Sequence, residues 1–247
     1  STIKLEHGGR RLLRHECRGG TVNVTGSTYT SNGYNSPAVY STAAITVKNA
    51  ALTANNSEAL VIEGKNSIAL EDCTVSGNMS STKGTSSDEN VHTVMIYQSM
   101  SGDADVGPSV FSMTGGSLTG NGNGGGGYVV RGMMNVIGKN GTDFDSEATL
   151  NLNGAAFTVG YAPNSSKVRG PAFVNITDQA VVTNSMHSFL NFQAPGSILN
   201  VDNAKLDVRH IQEATAGNAS CDFTFNVKNK ADVHAKNSIV LGQDAQN

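Results

Sequence analysis

Apolar residues along the chain recur in a short phrase that alternates with polar residues. In residues 45–52 (ITVKNAAL) an apolar residue is followed two positions later by a second, and five positions after that by a third. A spacing of two predicts β-strands, because a helix would place apolar residues three and four positions apart. The copies, given by their three apolar residues, are Val22-Val24-Tyr29, Ile45-Val47-Leu52, Ile68-Leu70-Val75, Phe111-Met113-Leu118, Leu150-Leu152-Phe157, Val174-Ile176-Val181, Leu199-Val201-Leu206 and, ending one residue late, Phe225-Val227-Val233.

Each copy has a small residue with unusual backbone freedom two positions after its second apolar residue. These residues are Gly26, Asn49, Asp72, Gly115, Gly154, Asp178, Asn203 and Asn229. Gly, Asn and Asp are the residue types that tolerate a left-handed backbone. The phrase therefore predicts a short strand, a one-residue left-handed corner and a second short strand.

The spacing of the copies predicts the architecture. Five of the seven spacings between first apolar residues lie between 23 and 26 residues, and a further apolar run such as 38–40 or 60–62 separates the copies. Repetition at this period indicates a solenoid, and parallel crossovers are right-handed by default. We expect an all-β, single-domain, right-handed parallel β-helix of about eight or more rungs, each of roughly 23 residues.

The domain limits follow from where the repeat starts. Residues 1–20, which contain Arg10, Arg11, Arg14 and Arg18, do not follow it. They are interpreted as a capping segment for the open end of the solenoid, with a basic binding patch as the alternative. Residues 21–247 would form the β-helix, with inserted loops at about 80–90, 101–107, 120–127, 138–147 and 161–169. Residues 208–222 are expected to replace a regular strand, and 238–242 to add one more.

Composition narrows the function. Charged residues make up 15% of the chain and the net charge is −3, so without a basic stripe nucleic acid is not an expected partner. No apolar run approaches the about 18 residues of a membrane span. Three distant cysteines give no disulfide framework, and Cys73 is interpreted as a small packed residue. The surface rich in Gly, Ser, Thr and Asn predicts an extracellular protein, secreted or attached to the cell surface. A start at Ser1 suggests a trimmed protein or a fragment with further domains.

One part of the chain resembles a known group of proteins. Residues 36–107, including DENVHTVMIYQSMSGDADVG, resemble secreted right-handed β-helix proteins of anaerobic gut bacteria, described as adhesin-like or carbohydrate-binding-domain proteins with the pectin-lyase-like solenoid. The resemblance covers about the first half of the chain. It implies an extracellular location and a binding role, and it brings no catalytic motif.

A column of asparagines supplies a candidate ligand site. The residue between the first two apolar positions points outward, and in four copies it is Asn: Asn151, Asn175, Asn200 and Asn226. Stacked Asn side chains bond one another along a rod, or they bind sugar hydroxyls with their donors and acceptors. We expect non-catalytic adhesion or binding of a polysaccharide or cell-surface glycan. The alternatives are a polysaccharide lyase or glycoside hydrolase, for which no recognised carboxylate pattern is present, and a purely structural stalk.

Two acidic loops supply a candidate metal site. Both 101–107 and 138–147 contain an Asp-x-Asp, and both are assigned to the same corner of successive rungs. Their carboxylates would then converge, and hard oxygen ligands of this kind suit Ca²⁺. The candidate ligands are Asp103, Asp105, Asp143, Asp145 and Glu147. The alternative is two solvated acidic loops that point apart.

Overall fold

The computed structural model describes residues 2–5, 13–14, 20–34, 36–77, 92–97, 105, 107–120, 126–129, 132–138, 149–152, 157–159, 171–183, 189–192, 195–213 and 223–241. Within these ranges every regular element is a β-strand. The strands stack in parallel as three columns, which we call faces 1, 2 and 3. The chain visits them in that order in each turn. The expected parallel β-solenoid is therefore confirmed.

Face 1 is the eight-stranded sheet. Its strands are β3 (Thr21–Thr25), β6 (Ala44–Lys48), β9 (Ser67–Glu71), β12 (Ser109–Thr114), β15 (Gly132–Ile137), β18 (Ala172–Thr177), β21 (Ser197–Asp202) and β23 (Phe223–Lys228). Strands such as β3, β6 and β23 alternate apolar and polar residues, which suits a sheet with one face on the core and one toward solvent.

Faces 2 and 3 are the two arms of a sixteen-stranded sheet. Face 2 holds β1 (Thr2–Leu5), β4 (Thr28–Ser31), β7 (Ala51–Ala54), β10 (Thr74–Gly77), β13 (Ser117–Gly120), β16 (Thr149–Leu152) and β19 (Val181–Thr183). Face 3 holds β2 (Leu13–Arg14), β5 (Val39–Ser41), β8 (Leu60–Glu63), β11 (His92–Tyr97), β14 (Gly126–Val129), β17 (Phe157–Val159) and β20 (Phe189–Phe192). The long strands β22 (Lys205–Glu213) and β24 (Asp232–Val240) run across both arms.

The corner from face 1 to face 2 is made by a left-handed residue. The backbone angle φ is 51° at Asn49, 52° at Asp72 and 47° at Asn203. The amide of each corner residue donates to a strand-end carbonyl of the next turn, as from Asn49 to Glu71 at 2.9 Å and from Asp72 to Thr114 at 3.0 Å. The hydrogen-bond ladder thus continues through the corner. The predicted left-handed corners are confirmed here and at Gly26, Gly115, Asp178 and Asn229.

The core consists of stacked apolar ladders. Ile45, Ile68 and Phe111 are in register on neighbouring strands, and each is at most 1% exposed. The second predicted ladder is also confirmed, with Val47, Leu70 and Met113 in register and buried. Each inward residue packs against its counterparts one turn above and one turn below, so it keeps dispersion contacts on both sides.

One of the eight predicted copies is wrong. Leu150 and Leu152 lie in β16 on face 2, and Phe157 lies in β17 on face 3. The strand of face 1 at that turn is β15, in which Met134 and Val136 are buried. Segment 139–148 separates β15 from β16 and breaks the period. The two alternating Leu residues of β16 therefore have the spacing of a face 1 strand, although they lie on face 2. The predicted corner Gly154 lies outside the described residues.

The third apolar position of the sixth copy is also shifted. Its corner has two left-handed residues, Asp178 with φ 54° and Gln179 with φ 70°. The extra corner residue moves the buried position from Val181 to Val182, which is in register with Leu206.

The two ends of the chain add strands to faces 2 and 3. Strands β1 and β2, from the segment interpreted as a cap, pair with β4 and β5. Strand β22 continues to Glu213, where an irregular segment was expected, because its second half pairs with β20. The extra strand expected at 238–242 is present as the end of β24, which pairs with β22.

Candidate ligand-binding face

The outer surface of face 1 carries a continuous row of hydrogen-bonded side chains. We call this row the amide ladder, and its members are Ser112, Asn135, Asn175, Asn200 and Asn226. They occupy the central outward position of five neighbouring strands of face 1, namely β12, β15, β18, β21 and β23. All five are half-buried, because side chains of the adjacent strands flank them along the rod.

Each Asn of the amide ladder donates to the residue one turn before it. Nδ2 of Asn135 donates to Oγ of Ser112 at 3.0 Å, and Nδ2 of Asn175 donates to Oδ1 of Asn135 at 2.9 Å. The next two bonds, from Asn200 to Asn175 and from Asn226 to Asn200, measure 2.7 Å and 2.8 Å. A side-chain amide has two N–H groups and two acceptor lone pairs. The bonds along the ladder therefore leave each inner Asn with capacity for a further partner.

The structure places three of the four predicted asparagines in this ladder. Asn175, Asn200 and Asn226 are adjacent, as expected. Asn151 is not in the ladder, because it lies in β16 on face 2, in register with Thr119 and Thr183. Asn135 takes its place. The signal for Asn135 was present in the sequence, since Met134 follows Phe111 by 23 residues and so keeps the period.

An apolar stripe runs beside the amide ladder. It consists of the outward residues two positions earlier in four strands: Val110, Met133, Phe173 and Ile198. Met133 is 38% exposed, and the other three are half-buried. These side chains point away from the core, where a solvated sheet normally carries polar residues. The stripe was not predicted from the sequence, because the prediction was based on one outward residue per strand.

The middle of this surface carries no charge. Each of β12, β15 and β18 has three outward residues, and none of them is charged. The first belongs to the apolar stripe and the second to the amide ladder. The third, two positions after the ladder residue, is Thr114, Ile137 or Thr177. Charged residues border the surface at its two ends. Lys48 and Glu71 form an ion pair on one side, and Asp202 and Lys228 lie on the other. On β12, β15 and β18, face 1 therefore presents a neutral surface that combines amides with an apolar stripe, whereas β21 and β23 carry Asp202 and Lys228 beyond the ladder.

The two loops that contain the carboxylates predicted to bind Ca²⁺ lie between different pairs of strands, 101–107 between β11 and β12 and 138–147 between β15 and β16. Loop 101–107 enters β12 at its start, whereas loop 138–147 leaves β15 at its end, about 20 Å away for a six-residue strand. The assumption of a shared corner is therefore wrong. Asp105 is exposed, and Asp103, Asp143, Asp145 and Glu147 lie outside the described residues. Among the residues that the structure describes, no group of three or more His, Cys, Asp or Glu could hold a metal.

Buried polar groups on face 3 and beside it do not form an accessible reaction site. The hydroxyl of Tyr40 donates to Oε2 of Glu63, and Oγ of Ser57 donates to a carboxylate oxygen of Glu58 at 2.9 Å. Glu58 and Glu63 are 2% and 1% exposed, so neither carboxylate can reach a polymer in solution. Cys73 is a buried free cysteine, and burial raises the pKa of its thiol. It packs as a small residue, as the sequence suggested.

Comparison with known proteins adds no relative. No protein-family model, no curated protein and no solved structure matches this chain. The assignment to a parallel β-solenoid therefore rests on the strand pairing itself. Within the part of the chain that the structure describes, no helix is long and apolar enough to cross a membrane.

Proposed function

We propose that this protein is a non-catalytic, extracellular β-solenoid that binds glycans and acts in adhesion. The observation that supports this most is the neutral surface of face 1, where the amide ladder lies beside the apolar stripe. Sugars present hydroxyl groups, which both donate and accept hydrogen bonds, next to apolar C–H surfaces. The ladder amides match the hydroxyls, and the side chains of Met133 and Phe173 match the C–H surfaces.

Two features of the sequence agree with this proposal. The low fraction of charged residues, 15%, is typical of secreted solenoids with small polar corners. The resemblance of residues 36–107 to adhesin-like β-helix proteins of gut bacteria favours the same role and location. Fold alone does not establish function, so the proposal depends on the surface chemistry of face 1.

A glycan array and a reducing-sugar assay on the same panel test the proposal. We expect binding of at least one glycan class and no release of reducing ends or unsaturated products. Turnover of any polysaccharide in the panel would contradict the non-catalytic role and favour a lyase or hydrolase. Failure to bind any glycan would reject the proposal and leave the structural stalk.

A further inference from the structure

The direction of the amide ladder restricts the shape of its ligand. Its hydrogen-bonding groups repeat across the strands, one per turn, at a strand spacing of about 4.8 Å. The apolar stripe repeats in the same direction and at the same spacing. A ligand lying along one strand would meet a single ladder residue, whereas a ligand lying along the rod would contact the ladder and the stripe at every turn. The matching ligand is therefore a linear polymer parallel to the rod axis.

The lack of charge on the surface restricts the chemistry of that polymer. The ladder and the stripe carry neither a cation nor an anion on β12, β15 and β18. A carboxylate or sulfate placed there would lose water without gaining an ionic partner, which is costly. A neutral pyranose chain avoids this cost. A flat, ribbon-like chain also keeps one edge of hydroxyls and one apolar surface in a constant orientation, as the parallel ladder and stripe require.

From these two restrictions we propose that face 1 binds an extended, neutral, β-1,4-linked polysaccharide along the rod axis. The inference rests on the proposed glycan binding and specifies its ligand class. The amide ladder has five members, so its four intervals span about 19 Å. Affinity should rise with oligosaccharide length until the chain covers this span, because each added sugar reaches another ladder residue and, over the first four strands, another stripe residue.

Calorimetry with oligosaccharides of two to six sugars tests the inference. The probes are cello-, manno- and xylo-oligosaccharides, with malto-oligosaccharides as a neutral but non-ribbon series and oligogalacturonates as an acidic series. We expect at least one β-1,4-linked series to bind, with the association constant increasing at least about tenfold from the disaccharide to the hexasaccharide. The maltose and galacturonate series should bind more weakly at every length.

Three variants locate the site. Asn175→Leu removes the ladder amide in the middle of the site, and Met133→Ser removes an exposed member of the stripe without touching the core. Each should lower the hexasaccharide association constant by about tenfold, the loss typical of a central contact residue. Thr53→Leu is the matched control, because Thr53 is a half-buried residue at an outward position of a face 2 strand. It should bind as the wild type does.

The outcomes separate this inference from the proposed function. Glycan binding that is independent of length, that favours the acidic series, or that survives both face 1 substitutions would overturn the axial neutral site and leave glycan binding in place. Absence of binding to every glycan would overturn both. Circular dichroism of each variant checks the fold, and Met133→Ser keeps the test decisive if Asn175→Leu fails to fold.

Discussion

Replacing Asn200 by Ala tests whether the amide ladder stabilises the solenoid. Asn200 makes two side-chain bonds, as donor to Asn175 at 2.7 Å and as acceptor from Asn226 at 2.8 Å. A neutral hydrogen bond contributes a net stabilisation of about 1 kcal/mol. This net value already allows for the bonds to water that replace each lost bond, and Asn200 loses two. We therefore expect Asn200→Ala to lower the free energy of unfolding by about 2 kcal/mol.

Two further substitutions, at the same outward position of other face 1 strands, provide comparison values for the loss expected at Asn200. Asn226 ends the ladder with a single bond to Asn200, so Asn226→Ala should cost about 1 kcal/mol. Asn23 occupies the equivalent position in β3, where it is exposed and makes no side-chain hydrogen bond among the described residues. Asn23→Ala should change stability by less than about 0.5 kcal/mol.

Urea unfolding followed by far-ultraviolet circular dichroism measures the three variants, since the chain has no Trp to report by fluorescence. The expected order of the losses is Asn200 above Asn226 above Asn23. Equal losses at Asn200 and Asn23 would refute the reasoning, because they would show that the ladder bonds only exchange with equivalent bonds to water.

Five other substitutions, two of them controls, test the corners, the core and the close approach of neighbouring turns by the same urea assay. Asn49→Val should destabilise by about 1–2 kcal/mol because φ is 51° there, whereas Asn49→Gly should keep the wild-type midpoint; equal effects would contradict a strained corner. Leu70→Ala should cost roughly 2–5 kcal/mol because it leaves a gap in a buried ladder, and a loss below 1 kcal/mol would argue against that packing. Gly138→Ala should cost about 3 kcal/mol, since its Cβ would lie 2.0 Å from the carbonyl oxygen of Asp178. Gly26→Ala, with φ 71° and open space around the new atom, should cost only about 1 kcal/mol.

The sequence pattern predicts the fold well because its signals are local. Alternation at two positions specifies a strand, and Asn49 or Asp72 two residues later specifies a left-handed corner without reference to the rest of the chain. Register then follows from the repeat, since every strand must stack on its counterpart one turn away. This explains why the ladders of Ile45 and Val47 were predictable.

The pattern fails where a segment is inserted within a turn. Face 1 and face 2 use the same apolar alternation, so Leu150 and Leu152 on face 2 were assigned to face 1 once segment 139–148 had broken the period. The same shift put Asn151 in the amide ladder in place of Asn135. It also placed the two acidic loops at one corner, although they attach to opposite ends of face 1 strands.

The binding surface was predictable only in part, because its apolar half has no periodic signature of its own. Phe173 and Ile198 look like ordinary strand residues in the sequence, since each directly precedes an inward apolar residue. Only the alternation of inward and outward side chains shows that they face away from the core. A surface feature of this kind becomes visible when register and orientation are known for several strands together.

Mapping of a bound oligosaccharide by nuclear magnetic resonance tests the central claim most directly. Backbone amide shifts of the labelled protein would be followed while the tightest-binding β-1,4-linked hexasaccharide is added. We predict that the largest chemical-shift changes lie on face 1, in strands β12, β15, β18 and β21, around Asn135, Phe173 and Asn200. Changes confined to face 2 or face 3 would contradict the assignment of the binding surface.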